Sequence, residues 1–333
     1  MTQQAGLAAV LLCFVPVIVF LVGLNALDTY RLLTVRRVIT AMVAGCAAAL
    51  VSYLLNTWGF ANWGPDYAFL GAPAVEELAK AAYILACVAA HRVGFPVDAA
   101  VTGVAVGAGF SLVENLVYLH QLPPTSLLVW LVRGVGTATM HGGATAVVAI
   151  VSVTLAATRW RWMAAIPALA LGFAVHALYN SGALPPLERA AVILVTLPAL
   201  LMGVFWQSER MLGRWLHGKM DSDLETLGMI DSGTFLDSPA GLYLASLRDS
   251  FKPEVVTDMF CLLRLSAELS AKAKAELMQR ELGFEPVPDP ERAELVKEMA
   301  HLEKGIGVAG RRALAPLVPA GARDQWERLR MQK

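Results

Sequence analysis

Seven long apolar stretches fill the first 206 residues of the chain, and short polar segments separate them. Each has at least about 17 residues, the length with which an α-helix crosses the hydrocarbon core of a bilayer. They cover residues 6–27, 38–56, 71–91, 97–119, 127–157, 163–180 and 189–206. The fifth exceeds a single crossing, and its glycines predict a break or a close helix contact. The pattern predicts an all-α, polytopic membrane helix bundle.

Segment 57–70 lies between the second and third stretches. Because it could hold a further crossing, we predict seven to eight crossings. It carries Trp58, Phe60, Trp63 and Tyr67, as is typical of the membrane–water interface or of a re-entrant segment. A partial eighth crossing would fit there. The first stretch lacks a basic leading segment and a small-residue cleavage site, so we interpret it as a retained span and not a signal peptide.

The pattern changes after residue 206. A helical periodicity with apolar and charged positions covers about 253–282 and stops at Gly283, and a second helix is expected over about 290–304. We therefore predict two domains, a transmembrane bundle over 1–206 and a soluble helical domain over 207–333. The second contains no motif of a catalytic site.

Charge follows the same division. The first 206 residues hold 7 acidic and 9 basic side chains of the 27 of each sign in the chain. A net charge of zero argues against a nucleic-acid partner. The bilayer itself is the partner that the composition indicates.

Basic residues between the stretches predict the orientation, because cytoplasmic loops are enriched in Lys and Arg. They follow the first, third, fifth and seventh stretches, at Arg31, Arg36, Arg37, Arg92, Arg159, Arg161, Arg210, Arg214 and Lys219. This alternation places the N-terminus outside and the C-terminal domain in the cytoplasm, where a docking partner would suit it. Arg189, at the outer edge of the seventh stretch, is the exception.

Charged side chains inside the third stretch are the first candidate chemistry. Glu76, Glu77 and Lys80 lie where the flanking residues predict lipid. On a helix Lys80 is three or four positions from either glutamate, so it can neutralise one of them. Ionisable groups at membrane depth are costly and mark a functional site by default. A structural ion pair between helices is the alternative interpretation.

The next three stretches add polar groups of their own. The fourth carries Phe110, Glu114 and Asn115, the fifth Arg133 and His141, and the sixth His176 and Asn180, which share a helix face. Counted from the predicted span ends, Glu76, Glu114 and His176 lie in the outer third of the bilayer. His141 lies deeper, unless the fifth span begins near Arg133 and not at Leu127. Simpler roles are a Glu114–Arg133 bridge, packing for Phe110, and helix-end bonds for Asn115 and Asn180.

Two kinds of hydrolysis fit these groups. A glutamate can accept a proton from water, and donors on another helix can stabilise the oxyanion, with no cofactor. Alternatively, imidazoles and carboxylates suit Zn²⁺, with His141, His176, Glu77 and Glu114 as candidate ligands. No HExxH motif supports the second alternative.

The four motifs together resemble the PrsW family of intramembrane proteases, which is distantly similar to CAAX-prenyl endopeptidases and bacteriocin-processing proteases. The resemblance covers about residues 60–182. It implies cleavage of a single-pass or lipidated membrane protein, such as an anti-sigma factor, near the outer face of the bacterial cytoplasmic membrane.

The resemblance also implies roles for individual residues. Glu76 would be the base with Glu77 in support, and His176 and Asn180 would form the oxyanion site. Glu114 stands where the distant relatives have histidine, and His141 is a replacement for that histidine. The family is sometimes classed with metalloproteases, so both chemistries stay open.

We therefore predict an intramembrane endopeptidase of glutamate or metal type. The same buried carboxylates and histidines would also suit a proton-coupled carrier, in which they form a relay. Carriers are often built from repeated halves, and the chain shows no internal repeat. A receptor without catalytic activity is the third alternative.

Overall fold

The computed structural model describes residues 3–26, 34–121, 127–156, 163–287 and 289–318. Arg31, Arg159, Arg161 and Pro288 lie outside these ranges. The described residues form helices, turns and loops, and no β-strand is found among them. The chain divides into two compact units, Met1–Glu209 and Arg210–Lys333.

Each of the seven predicted apolar stretches coincides with a helix of the first unit, which confirms the all-α prediction. The π-helix Val132–Thr137 joins α5 to α6. The bounds are α1 Gln3–Ala26, α2 Val35–Trp63, α3 Tyr67–Ala89, α4 Pro96–Gln121, α5 Leu127–Leu131, α6 Ala138–Ala156, α7 Ala165–Asn180 and α8 Pro186–Asp231.

Four of these helical segments are long and apolar enough to cross a membrane, namely α2, α4, α8 and the continuous segment Leu127–Ala156. The α3 helix is long enough at 23 residues, but three charged side chains interrupt its apolar character. The α7 helix is apolar and has 16 residues. Length and composition thus mark a membrane protein.

Segment 57–70 contains a helix end, a turn and a helix start, and no separate partial crossing. The α2 helix continues to Trp63 because no residue before Gly64 breaks it. Gly64 has φ +69° and precedes Pro65, so the chain turns there and α3 begins at Tyr67. The aromatic side chains pack together across this turn, with ring centroids 5.1 Å apart for Phe60 and Tyr67.

Glycines let α4 lie directly against the backbones of its two neighbours. A Cβ added at Gly107 would lie 2.3 Å from the carbonyl oxygen of His141 in α6. One added at Gly109 would lie 2.0 Å from the carbonyl oxygen of Met42 in α2. Small residues permit such close approach in membrane bundles. The contact at Gly107 holds the polar residues of α4 and α6 within reach of one another.

The second unit is a small helical domain. Its helices after α8 are α9 Pro239–Ser246, α10 Pro253–Glu281, α11 Arg292–Gly305 and α12 Gly307–Leu314. The bounds of α10 and α11 confirm the two helices predicted from periodicity. Their buried face is apolar, with Met259, Leu269 and Met299 in one core. Lys274 on α10 is 1% exposed and forms an ion pair with Asp223.

Candidate active site

Four helices bring their ionisable side chains to one place in the first unit. Glu76, Glu77 and Lys80 come from α3, Glu114 from α4, His141 from α6 and His176 from α7. The rings of the two histidines lie edge to face, with centroids 4.9 Å apart. His141 is thus level with the other groups, and not deeper as the predicted span ends indicated.

Glu77 and Lys80 form a buried pair that orients His176. The Lys80 Nζ lies 2.5 Å from Glu77 Oε1, and the two side chains are 0% and 1% exposed. His176 Nδ1 lies 2.8 Å from the same oxygen. Because an ammonium group only donates, this oxygen accepts, and Nδ1 carries a proton. In a neutral imidazole, Nε2 of His176 then has the free lone pair.

Lys80 also sets the tautomer of His141. Its Nζ lies 3.1 Å from His141 Nδ1, which must accept from an ammonium group. Nε2 of a neutral His141 therefore carries the proton and donates to Glu114 Oε2 at 3.1 Å. The Phe110 ring packs on His141 with centroids 4.9 Å apart, and Lys80 Nζ lies 4.8 Å from the centroid of that ring.

Glu76 points away from this pair and faces His176, whose Nε2 lies 3.7 Å from Glu76 Oε2. Its other oxygen accepts from Asn56 Nδ2 of α2 at 3.0 Å, and Asn56 Oδ1 accepts from Tyr67 Oη at 3.0 Å. Sequence reasoning missed this chain of hydrogen bonds. The signal for it was an amide at the end of an otherwise apolar second stretch.

A cavity of about 490 Å³ lies beside the cluster. The predicted site residues that line it are Glu76, Phe110, Glu114, Arg133, His141, His176 and Asn180. Glu77 and Lys80 lie behind this wall, and Asn115 is buried on α4 outside the lining. A substrate in the cavity would meet Glu76 but not Glu77.

Arg133 reaches the cavity from the π-helix between α5 and α6. Its Nη2 lies 3.2 Å from Glu114 Oε2, so the predicted Glu114–Arg133 pair is present. The guanidinium carbon lies 3.5 Å from the centroid of the Tyr118 ring. Wide π-helical turns are rare and occur often at functional sites.

The cluster contains a set of donors that suits a metal ion. One ligand atom each from Glu76, His141 and His176 lies within 4.8 Å of the other two. His176 has its free lone pair at Nε2, and its bond to Glu77 is the outer-shell carboxylate contact typical of metal-ligating histidines. To bind through Nε2, His141 would need its proton on Nδ1, which now accepts from Lys80. These residue types fit Zn²⁺.

This set differs from the predicted ligands in its carboxylate. Glu76 takes the place expected for Glu77 or Glu114, because Glu77 Oε1 is occupied by Lys80 and His176. Glu114 Oε2 contacts Arg133 and His141. The ligand set from sequence, with Glu77 and Glu114, stays a prediction.

Comparison with known proteins identifies one family. The family model described as PrsW family intramembrane metalloprotease matches residues 28–206. This range contains every residue of the cluster. No curated protein and no solved structure matches the chain.

Proposed function

The chain belongs to the PrsW family of intramembrane metalloproteases, and from this premise we propose that it hydrolyses a peptide bond of a membrane-anchored protein in the cavity beside Glu76 and His176. A membrane protease acts within the bilayer on a membrane substrate. The observation that carries the proposal is the position of these two side chains, which face each other across 3.7 Å at the cavity wall. Membership favours a peptidase over a carrier.

Glu76 is the proposed general base. It is 13% exposed, lines the cavity, and is oriented by the hydrogen bond from Asn56. From this position it accepts a proton from the hydrolytic water and returns it to the leaving amine. Nε2 of His176 accepts a hydrogen bond from the same water, because its lone pair faces the cavity.

The remaining residues support this pair. Glu77 and Lys80 fix the ring of His176 from behind, which is the supporting role implied for Glu77 by the resemblance. Asn180 lines the cavity one helical turn after His176 and is the proposed donor to the oxyanion. With a second proton from solvent at Nε2, His176 would be a donor to the oxyanion in place of an acceptor for the water.

A metal ion would give these residues other roles, because Glu76 and His176 would then be ligands and not the base and its partner. Glu76, His141 and His176 would hold it, with Glu77 in the outer shell through its bond to His176 Nδ1. A Zn²⁺ bound there would supply Lewis-acid chemistry for the water and the scissile carbonyl. Binding through Nε2 of His141 would require its proton to move to Nδ1, and Lys80 and Glu114 would then lose their present hydrogen bonds to this ring.

The proposed location is the bacterial cytoplasmic membrane, with the N-terminus outside and residues 207–333 in the cytoplasm. The substrate class is a single-pass or lipidated protein of the anti-sigma-factor kind, cut near the outer face. Cys261 is exposed in the second unit and reports the orientation. A membrane-impermeant maleimide should label it in lysed cells and spare it in intact cells. Labelling in intact cells would contradict this orientation.

The activity test uses the purified full chain in liposomes with a pool of single-pass membrane proteins. We expect cleavage near the outer end of some substrate helices, and Glu76→Gln should lower its rate by about 10²–10⁴-fold. Glu188→Gln changes an exposed glutamate outside the cavity and should leave the rate unchanged. Absence of cleavage by the folded wild type would contradict the proposal and favour the carrier and receptor alternatives.

A further inference from the structure

Two arginines of the cavity have no part in the proposed hydrolysis. Arg133 lies in the π-helix, and Arg189 lies in the first turn of α8. Each stands over an aromatic ring, Arg133 at 3.5 Å from the centroid of Tyr118 and Arg189 at 5.1 Å from that of Tyr179. Both line the cavity that holds Glu76.

Both guanidinium groups have hydrogen-bonding capacity left over. Arg133 Nε and Nη2 and Arg189 Nε are buried without a hydrogen-bond partner among the described residues. Arg133 Nη2 is near Glu114 Oε2, but its N–H groups are not directed at that oxygen, so the contact is an ion pair without a hydrogen bond. Buried cations that lack partners are costly, and at membrane depth they mark ligand sites.

Arg189 differs from Arg133 because no carboxylate neutralises it within the described ranges. Its one hydrogen bond there runs from Nη1 to the carbonyl oxygen of Tyr179, at 3.0 Å. It is also the one cation that breaks the alternation of charge between the apolar stretches. Arg189 is thus a cation that lines the cavity on the predicted outer side of the membrane, and this position indicates a functional role.

A close helix contact places both arginines on one wall. A Cβ added at Gly136 would lie 2.5 Å from Ala190 Cβ and 2.8 Å from Tyr179 Oη. The π-helical turn that follows Arg133 therefore packs against the turn of α8 that carries Arg189. Tyr179 lies between them, and its hydroxyl is 3.4 Å from Thr137 Oγ1.

We propose that Arg133 and Arg189 form a specificity subsite for the carboxylate of an acidic substrate residue close to the scissile bond. This rests on the proposed peptidase function. A guanidinium group presents a planar fork of donors that matches a carboxylate. Arg189 contributes more, because Glu114 already neutralises Arg133. A lipid phosphate has similar chemistry, but the two arginines line the same cavity as Glu76 and His176, and this favours a substrate carboxylate as the ligand.

The test is a cleavage-preference experiment on the full chain in liposomes. The probe is a pool of single-pass model proteins whose outer juxtamembrane segment is randomised, and mass spectrometry reads the residues beside each new terminus. Wild type is compared with Arg189→Gln, Arg189→Glu and Arg189→Lys. Arg92→Glu, at an exposed arginine outside the cavity, is the matched control. Melting temperatures identify variants that fail to fold.

We expect wild type and the Arg92→Glu variant to prefer Asp or Glu at one position by about ten-fold or more over Asn or Gln. Arg189→Gln should abolish the preference, Arg189→Glu should reverse it toward Lys or Arg, and Arg189→Lys should keep it in part. Cleavage without any acidic preference in wild type would overturn the subsite alone. No cleavage by wild type would overturn the peptidase proposal together with it.

The lipid alternative has its own outcome in the same experiment. The assay is repeated in liposomes with and without phosphatidylglycerol, which supplies an anionic phosphate. If Arg189→Gln removes only a dependence of the rate on phosphatidylglycerol, and the residue preference is unchanged, the subsite binds lipid and the proposal is wrong. An unchanged lipid dependence with a lost acidic preference supports it.

Discussion

Asn56 should be a positioning residue of the proposed base, and its replacement gives a sharp test of the site. Its amide links Tyr67 to Glu76 through two hydrogen bonds of 3.0 Å each. The bond to Glu76 holds Oε1, which leaves Oε2 on the side of His176. Asn56→Ala removes this link but leaves every ionisable group of the cluster in place.

The structure also bounds the size of the effect. A hydrogen bond to a charged group contributes about 1.5–3 kcal/mol, and if the carboxylate needs that bond to reach the reacting geometry, the same amount is lost from the transition state. This corresponds to a fall in kcat/KM of about 10-fold to 150-fold. Tyr67→Phe removes only the outer bond, worth about 0.5–1.5 kcal/mol, so its effect should be smaller, at about 2-fold to 12-fold.

The assay is cleavage of one membrane substrate from the liposome pool, with kcat and KM measured separately. Asn62→Ala is the matched control, because Asn62 lies on the same helix and its side-chain bond among the described residues is to its own helix, at the Trp58 carbonyl oxygen. We expect the loss for Asn56→Ala to be mainly in kcat, and the control to resemble wild type. A folded Asn56→Ala protein with unchanged kcat/KM would refute the assigned role.

Three further predictions follow from other parts of the structure. Metal analysis of the purified full chain should find about one zinc per chain, lost in His176→Ala; a metal-free and active wild type would contradict the metal site. Gly107→Ala should lower the melting temperature and the activity, because its Cβ would lie 2.3 Å from a backbone oxygen of α6. The control Gly203→Ala meets no atom within 4 Å and should be neutral. Equal melting temperatures of the two variants would contradict the close contact. Lys274→Ala leaves the Asp223 carboxylate without its buried partner and should destabilise the second unit by about 3–5 kcal/mol. The control Lys272→Ala removes a lysine that is 36% exposed and should cost under about 1 kcal/mol. Hydrogen exchange of α10 in the full chain checks both, and similar protection in the two variants would count against the buried pair.

Hydrophobic periodicity predicted the helices of the first unit together with α10 and α11, but it missed the short helices α9 and α12. The ends of the predicted helices depended on residues that stop a helix. Pro253 begins α10 and Gly283 follows its end by two residues, and the predicted bounds agree with the structure to within a residue. The seventh apolar stretch ended at residue 206, whereas α8 continues to Asp231. The apolar signal marks where lipid contact would end, and the helix itself continues until Gly233, which has φ +78°.

The site was predictable in its members and not in its contacts. Charged and imidazole side chains in apolar stretches are rare enough to be found by sequence alone, and the structure brings those of α3, α4, α6 and α7 together. Asn56 escaped notice because a single amide near the end of a span is common. Its value depends on how α2 is rotated toward Glu76, which is a property of the packed bundle and not of the local sequence.

The adjacent glutamates show most clearly what the packed bundle adds. Neighbours on a helix point about 100° apart, so Glu76 and Glu77 face different surroundings although the sequence cannot distinguish them. Glu77 turns inward and shares its oxygen between Lys80 and His176. Glu76 turns to the cavity, and its polar side-chain contacts among the described residues are the Asn56 amide and the His176 imidazole. Lys80 could have paired with either glutamate, at three or four positions. Because it pairs with Glu77, it neutralises the glutamate that is buried and leaves Glu76, at the cavity, available for the proton exchange that we propose.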